Sequence, residues 1–484
     1  MKRLVGITLL ILLASVPAAI ADSWSLDGSS SQLRSAQNRL QQQGINVSKR
    51  PGRLIVEAAE RQQLTGLAVE VRKSIPVKLA QDPLIPDADW YSWNGMMGIE
   101  QAWQLGQGQG ALVAVIDSGI DLTHPDLKNN LWVNPNEVPA NGIDDDSNGY
   151  IDDINGASMI TGGLPIDGNG HGTHVSGIIG AALNGFGVNG LAPQARIMPV
   201  AAINSNGDGT SSDIDAGIHY AVANGAQIIN ISITSKGITQ ETQEAIDLAE
   251  QAGILVVAAA GNENSNLKGK DYFPTGITNP NMISVGSVTN SGKKSSFSNY
   301  GPVDLAAFGN SVPSTWKNGK YALMSGTSMA SPMVAGGAAL LAGLYPTRRA
   351  TEWKQALLKN TLKLGSLKGL FRSGGIPDLP AALAWQAEQS GQPASTSVRF
   401  HKMSIRSHKS SSQRLTLKIR WALTGAGAKK VSSVKISAQK KSRITRRSSV
   451  SFLSMKRGRT VVRLSARNKS GLVLASKTIR FNLR

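Results

Sequence analysis

The stretch Asp167–Gly177, DGNGHGTHVSG, holds two histidines three positions apart among glycines. Such a pair could be a metal clamp, a catalytic base beside an unrelated neighbour, or two structural residues sharing a helix. As a zinc pair, His171 and His174 lack the i, i+4 spacing and the glutamate of a metalloprotease helix. A base, in turn, needs partners. VAVIDSGID places Asp117 just past an apolar run, where a lone buried carboxylate is costly. MSGTSMASP places Ser328 at the start of a long small-residue helix. A serine hydroxyl is a weak nucleophile until an imidazole takes its proton, and the imidazole needs a carboxylate to hold its tautomer and balance its charge. Asp117, His171 and Ser328 supply these three groups, each at the end of an element. His174, on the same helical stripe as Ile178, reads as a buried, hydrogen-bonded structural histidine.

The elements that must position these groups alternate in type. ALVAVIDSGI, ARIMPVAAI, AQIINISI, ILVVAAAGN and MISVGSV are apolar nearly throughout, and amphipathic segments such as SSDIDAGIHYAVANG and TQETQEAIDLAEQAG lie between them. Strands apolar on both faces predict an α/β fold whose parallel sheet is covered by helices on both sides. In such folds sites lie beyond the carboxyl ends of the strands. After His171, Val175, Ile178, Ile179 and Ala182 recur at helical spacing, which predicts a helix through Ala182.

VIDSGID, HGTHVSG and GTSMASP, in the order Asp, His, Ser, resemble the subtilisin-like serine proteases, the subtilase family (peptidase family S8), over about residues 81–385. The resemblance implies a serine endopeptidase that hydrolyses peptide bonds through an acyl-enzyme. VVAAAGNEN is similar to the family's Ala-Gly-Asn strand end, which makes Asn262 a side-chain donor to the oxyanion beside the Ser328 backbone N–H. Read alone, Asn262 would be a turn residue after a glycine. INISITSKG resembles the strand that pairs with the substrate backbone, and Ser232, Ile233, Thr234 and Gly261 become substrate-binding residues by strand addition. Here the chain departs from the family's usual Ser-Leu-Gly: Thr234 puts a β-branched side chain where a glycine stands beside the primary pocket. Met333 and Phe308 also depart from common family residues, at positions without chemistry.

NGIDDDSNGYIDD carries Asp144, Asp146, Asn148 and Asp152 at spacings like the first nine positions of an EF-hand calcium loop, with Asn155 in place of the closing glutamate. An acidic surface turn is the alternative. The resemblance implies another calcium site, matched by Asp126 in THPDL and Asn184 in ALNGFGV, with Asp82 as a further ligand. Structural Ca²⁺ would suit an exported chain without cysteine, since binding to the folded state alone stabilises it.

Composition divides the chain. Lys2 and Arg3, an apolar run to Val16 and the small residues Ala19 to Ala21 read as a signal peptide over 1–21, hence a secreted or periplasmic protein. No later segment reads as a membrane helix. Residues 22–80, with net charge +4, mix a polar helical pattern with strand-like pieces. By position and resemblance they are a propeptide that would inhibit the enzyme. The catalytic domain, 81–388, is acidic, and 389–397 is a polar linker. From Ser395 onward 24 Lys and Arg stand against no Asp or Glu. Period-two alternation over 398–484 predicts a basic antiparallel β-sandwich. Its charge suits an anionic surface, a polysaccharide or nucleic acid, though a solvated charged face needs no partner. The reading from a different class is an inert subtilase fold that acts as a binding module through this domain.

Overall fold

The computed structural model describes residues 23–79 with short gaps, 92–389 throughout, and seven strands between 399 and 483. The signal-peptide reading of 1–21 and the linker from residue 390 lie outside the described residues.

The polar helical pattern near the N-terminus forms α1 (Ser30–Gln42), opened by a capping box between Ser29 and Gln32. It belongs to a compact unit that ends at Ser74. Strands β1 (Ser23–Asp27), β2 (Asn46–Arg50), β3 (Arg53–Glu57) and β4 (Glu70–Ser74) form its antiparallel sheet in the order β2-β3-β1-β4. Trp24, Leu26, Leu33, Leu40, Leu54 and Val56 fill its core. Strand β5 (Pro76–Leu79) belongs to the second unit, although the sequence pattern grouped it with the first.

After β5 the second unit continues with short helices α2 (Ser92–Met97) and α3 (Ile99–Ala102), and it is built on a seven-stranded parallel sheet. Its strands are β6 (Leu112–Asp117), β7 (Ala157–Ser158), β8 (Arg196–Ala201), β10 (Ile228–Ile231), β12 (Leu255–Ala259), β14 (Met282–Val288) and β15 (Leu305–Phe308), in the order β15-β14-β12-β10-β6-β8-β7. The period of two along each strand divides the core. Val113 and Val115 of β6 pack into one cluster with Leu255 and Val257. Ala114 and Ile116 pack into another with Val256 and Ala258. Helices α4 (His171–Gly180) and α7 (Thr327–Leu344) cover the first face, joined by α8 (Ala350–Lys359) and α9 (Leu379–Gln389). Helices α5 (Ser211–Ala223) and α6 (Gln240–Gln251) cover the second. Both faces are therefore apolar, as the near-continuous hydrophobic strands require.

Two small sheets flank this frame. Strand β9 (Asp208–Thr210), β11 (Ile233–Lys236) and β13 (Tyr272–Phe273) join β5 in the order β13-β11-β5-β9. Strands β16 (Val312–Trp316) and β17 (Lys320–Met324) form a hairpin before α7. A short pair, β18 (Thr361–Lys363) and β19 (Gly375–Pro377), follows α8.

Two expectations change. Helix α4 ends at Gly180, so Ala182 lies beyond it; the helix is buried on every side, and its boundary is not set by one apolar stripe. Gly177 makes that burial possible, because a Cβ there would meet Thr315 Oγ1 at 2.2 Å. Helix α7 is long and apolar enough to cross a membrane by length and composition, contrary to the sequence reading. Within this fold its residues Thr327 to Ala342 are buried in the domain core.

Beyond the linker, the alternating basic segments form two antiparallel sheets. Strands β20 (Arg399–Lys409), β21 (Leu415–Thr424) and β24 (Ser449–Met455) make one in the order β20-β21-β24. Strands β22 (Ser433–Ala438), β23 (Lys441–Thr445), β25 (Gly458–Arg467) and β26 (Val473–Leu483) make the other in the order β23-β22-β25-β26.

Candidate active site

Asp117 ends β6 and His171 begins α4, 54 residues later and both fully buried. The helix start comes so close to the strand end that a Cβ on Gly172 would lie 2.2 Å from the Gly119 carbonyl oxygen. Glycine at 172 is thus a condition of the site. The His171 Nδ1–H donates to Asp117 Oδ1 at 2.7 Å, and the Ser118 N–H donates to the same oxygen at 2.7 Å. A second carboxylate holds the helix start. Asp167 accepts from Gly170 N, Thr173 N and the Thr173 hydroxyl, and from Ser118 Oγ at 2.8 Å. Ser118 Oγ in turn accepts from Gly172 N. Asp167 and Ser118 were not singled out from the sequence. An acid just before a helix, capping its free N–H groups, is the signal that could have found Asp167.

Ser328 is the second residue of α7 and fully buried. Its hydroxyl donates to the Ser232 carbonyl at 3.0 Å, while Ser232 Oγ donates to the Ser328 carbonyl at 3.0 Å. Asn230 and Ser331 extend this network and tie β10 to α7. Asn262 follows Gly261 at the end of β12. Its Oδ1 accepts from Thr327 N at 2.9 Å and from Thr327 Oγ1 at 3.0 Å. The amide is therefore oriented with its NH₂ away from Thr327, and Nδ2 is buried without a partner among the described residues. His171 Nε2 is likewise buried without a hydrogen bond. Unsatisfied buried polar atoms are expensive and call for an explanation. An imidazole acceptor and an amide donor are the two kinds of group that acyl transfer to a serine requires: a proton acceptor and a stabiliser for the oxyanion.

His174 differs in kind. Its Nε2–H donates to the carbonyls of Val312 at 3.1 Å and Ala322 at 3.2 Å, bridging α4 to both strands of the hairpin. Burial, with a smaller effect from His171, pushes its pKa down to about 3, so the ring is neutral.

Of the residues expected to bind substrate, Ser232 and Ile233 are buried and Thr234 is partly so. The left-handed φ of +96° at Gly261 requires glycine. Strand β5 pairs antiparallel with β11, Leu79 opposite Ile233 and Lys78 opposite Thr234, and on its other edge with β9, Val77 opposite Gly209. A segment of the chain thus lies along β11 as an added peptide strand would.

With this site in view, the comparisons with known proteins decide the family. The model of the subtilase family matches residues 108–395. The chain belongs to the subtilase family. Its subtilase domain is a serine-type endopeptidase domain. Among its relatives is the "Thermophilic serine proteinase" of Bacillus sp. (strain AK1), 40% identical over 280 residues, which are 57% of this chain and 63% of that protein. Subtilisin DY of Bacillus licheniformis is 36% identical over 278 residues, 57% of this chain and 92% of that protein. Thermitase of Thermoactinomyces vulgaris is 36% identical over 280 residues, 57% of this chain and 89% of that protein.

The candidate metal ligands of this subtilase separate. Asp144 accepts from the backbone N–H of Asn148 and Gly149, and Asp152 from those of Asn141 and Gly142, so both carboxylates cap turns. Asn148 accepts from Tyr150 N and donates to Asp153. Asn155 donates to the Trp132 carbonyl. Only Asp146 of these joins an acidic group, with Glu137 and Asp153, whose oxygens lie within 4.8 Å of one another. Glu137 Oε1 accepts from Asp145 N and Asp146 N, whereas Oε2 is buried with no partner among the described residues. Elsewhere, Asn184 Nδ2 donates to Asp126 Oδ1 at 2.9 Å and Val188 N to Asp126 Oδ2 at 3.0 Å. Asp126 and Asn184 are thus brought together, and Asp82 lies outside the described residues.

Proposed function

We propose that this subtilase is an exported endopeptidase that cuts proteins or peptides through a covalent acyl-enzyme. The Ser328 hydroxyl turns from the Ser232 carbonyl to His171 Nε2, which takes its proton as Oγ attacks the peptide carbonyl. Asp117 holds the Nδ1–H tautomer and balances the imidazolium charge. Asn262 Nδ2 and the Ser328 N–H stabilise the oxyanion. His171 then returns its proton to the leaving amine, and water releases the acyl group. The observation that carries this reading is the pair of buried atoms, His171 Nε2 and Asn262 Nδ2, that have no hydrogen-bond partner among the described residues, in a site where Asp117 Oδ1 holds His171 Nδ1 and Thr327 holds the Asn262 amide oxygen.

The pairing of β5 with β11 supports the companion proposal that residues up to Ala80 are a propeptide that inhibits by occupying the substrate strand's place. Expression of the full chain tests both: wild type should release the N-terminal segment and hydrolyse casein, and Ser328→Ala should do neither. Processing that persists in pure Ser328→Ala would remove the catalytic assignment.

For calcium, we place the best-fitting site at Glu137, Asp146 and Asp153. Three carboxylates at this spacing repel one another, the Asn134 amide bridges only Asp146 and Asp153, and Glu137 Oε2, on a side chain 7% exposed, has no partner among the described residues. Ca²⁺, a hard cation that takes oxygen ligands, would supply fold stability there and no catalytic step. The basic C-terminal strands, with no acidic residue among them, support binding to a polyanionic surface.

A further inference from the structure

We infer that Tyr272 closes the pocket that receives the side chain on the acyl side of the scissile bond, so that this enzyme cuts after small residues such as alanine. The inference rests on the endopeptidase reading above. A peptide on β11 in the register of β5 places successive residues opposite Thr234 and Ile233, and the next opposite Ser232. The hydrogen bonds between Ser232 and Ser328 place the nucleophile beside that next position. The carbonyl attacked therefore belongs to the residue opposite Ser232. To reach Asn262 Nδ2, this residue must lie between β11 and the Gly261–Asn262 turn. Its side chain then enters the gap between them, with Thr234 on one wall and Gly261 on the other.

Tyr272 bridges those walls. A Cβ built on Gly261 would meet Tyr272 Oη at 2.3 Å, which places the hydroxyl directly against that glycine. The same hydroxyl donates to Glu263 Oε2 at 2.9 Å, and the Thr234 side chain lies near enough to influence its titration. The phenol cannot swing aside cheaply. Tyr272 is only 6% exposed, its backbone pairs with Lys236 of β11, and moving it would deprive Glu263 of a donor. A methyl side chain requires no such movement, whereas an aromatic ring does. The sequence itself agrees, since the residue after Leu79 is Ala80, and the register predicts a cut between Ala80 and Gln81.

Mature full-chain enzyme should be assayed on succinyl-Ala-Ala-Pro-X-p-nitroanilides, X being alanine or phenylalanine, with active sites titrated by a fluorophosphonate. Wild type should favour alanine by about 10-fold or more in kcat/KM, the scale on which pocket shape discriminates side chains. Tyr272→Ala should reverse or abolish that preference, and Thr234→Gly should reduce it. Tyr272→Phe, which keeps the ring, should largely retain it. The mature N-terminus should be Gln81. Equal or better cleavage after phenylalanine by a labelled wild type overturns the inference alone, as does an unchanged ratio in the labelled variants. Absence of labelling in the wild type overturns the endopeptidase reading and this inference with it. Should Tyr272→Ala fail to fold, the wild-type ratio and Thr234→Gly still decide.

Discussion

His171 and His174 stand one turn apart on α4, and what surrounds each separates their roles. The lowered pKa of His174 makes a prediction about stability. The unfolded chain binds its proton near pH 6.5 and the folded chain only near 3, so the stability present above pH 6.5 is lost as pH falls through that window. The slope from this residue is at most about 1.4 kcal/mol per pH unit. His174→Gln, which keeps a donor and loses the titration, should unfold in urea with a shallower pH dependence between pH 6 and 4; an unchanged dependence would contradict the neutral buried ring. Thr327 orients Asn262 through its N–H and hydroxyl, so under the proposed mechanism it acts through that amide. Asn262→Ala should lower kcat by about 10²–10³, the magnitude known for the equivalent donor of subtilisin, this family's type enzyme, with KM little changed. Thr327→Val, which keeps the N–H, should lower kcat less, and an effect on KM alone would show that it does not orient the amide. Asp117, His171, Ser328 and Asn262 were singled out because short local motifs carry them. Thr327, Tyr272 and the pair Ser118–Asp167 were not singled out, since their contacts join segments distant in sequence.

At the scale of elements, the parallel sheet was legible because its strands are apolar on both faces, which leaves a period-two pattern no room to compete. The end of α4 was not, since a helix buried all round has no polar face to mark its limits. The acidic loop gives a similar lesson. Spacing nominated Asp144, Asp146, Asn148 and Asp152; in the fold Asp144, Asn148 and Asp152 accept from backbone N–H groups of the turns, and Glu137 and Asp153 join Asp146 from outside the spacing pattern. Chelation by EDTA should lower Tm, and calcium at 100 times its Kd should restore about 2.7 kcal/mol. Glu137→Gln should weaken that rescue and the luminescence of bound Tb³⁺. Full rescue with unchanged luminescence would move the ion elsewhere.

Over the whole molecule, charge is segregated: residues 81–394 carry a net −11 and residues 395–484 a net +24. The sign and alternation of the tail were plain in the sequence, but its ligand was not, because a basic sheet face attracts any polyanion. The full chain should bind heparin–agarose and elute at a salt concentration well above that of a chain ending at residue 394. Retention should fall steeply with ionic strength, as counterion release requires. Equal elution of the two would leave the tail a solvated face.

The central claim concerns Ser328, activated by His171 and Asp117 in a site that an N-terminal segment can cover. The most direct measurement is covalent labelling of the processed protein by a fluorophosphonate, followed by mass spectrometry of the labelled peptide. One label per chain on Ser328, lost in Ser328→Ala and strongly slowed in His171→Ala, is the predicted result. Labelling that persists in Ser328→Ala, or its absence from the processed wild type, would contradict it.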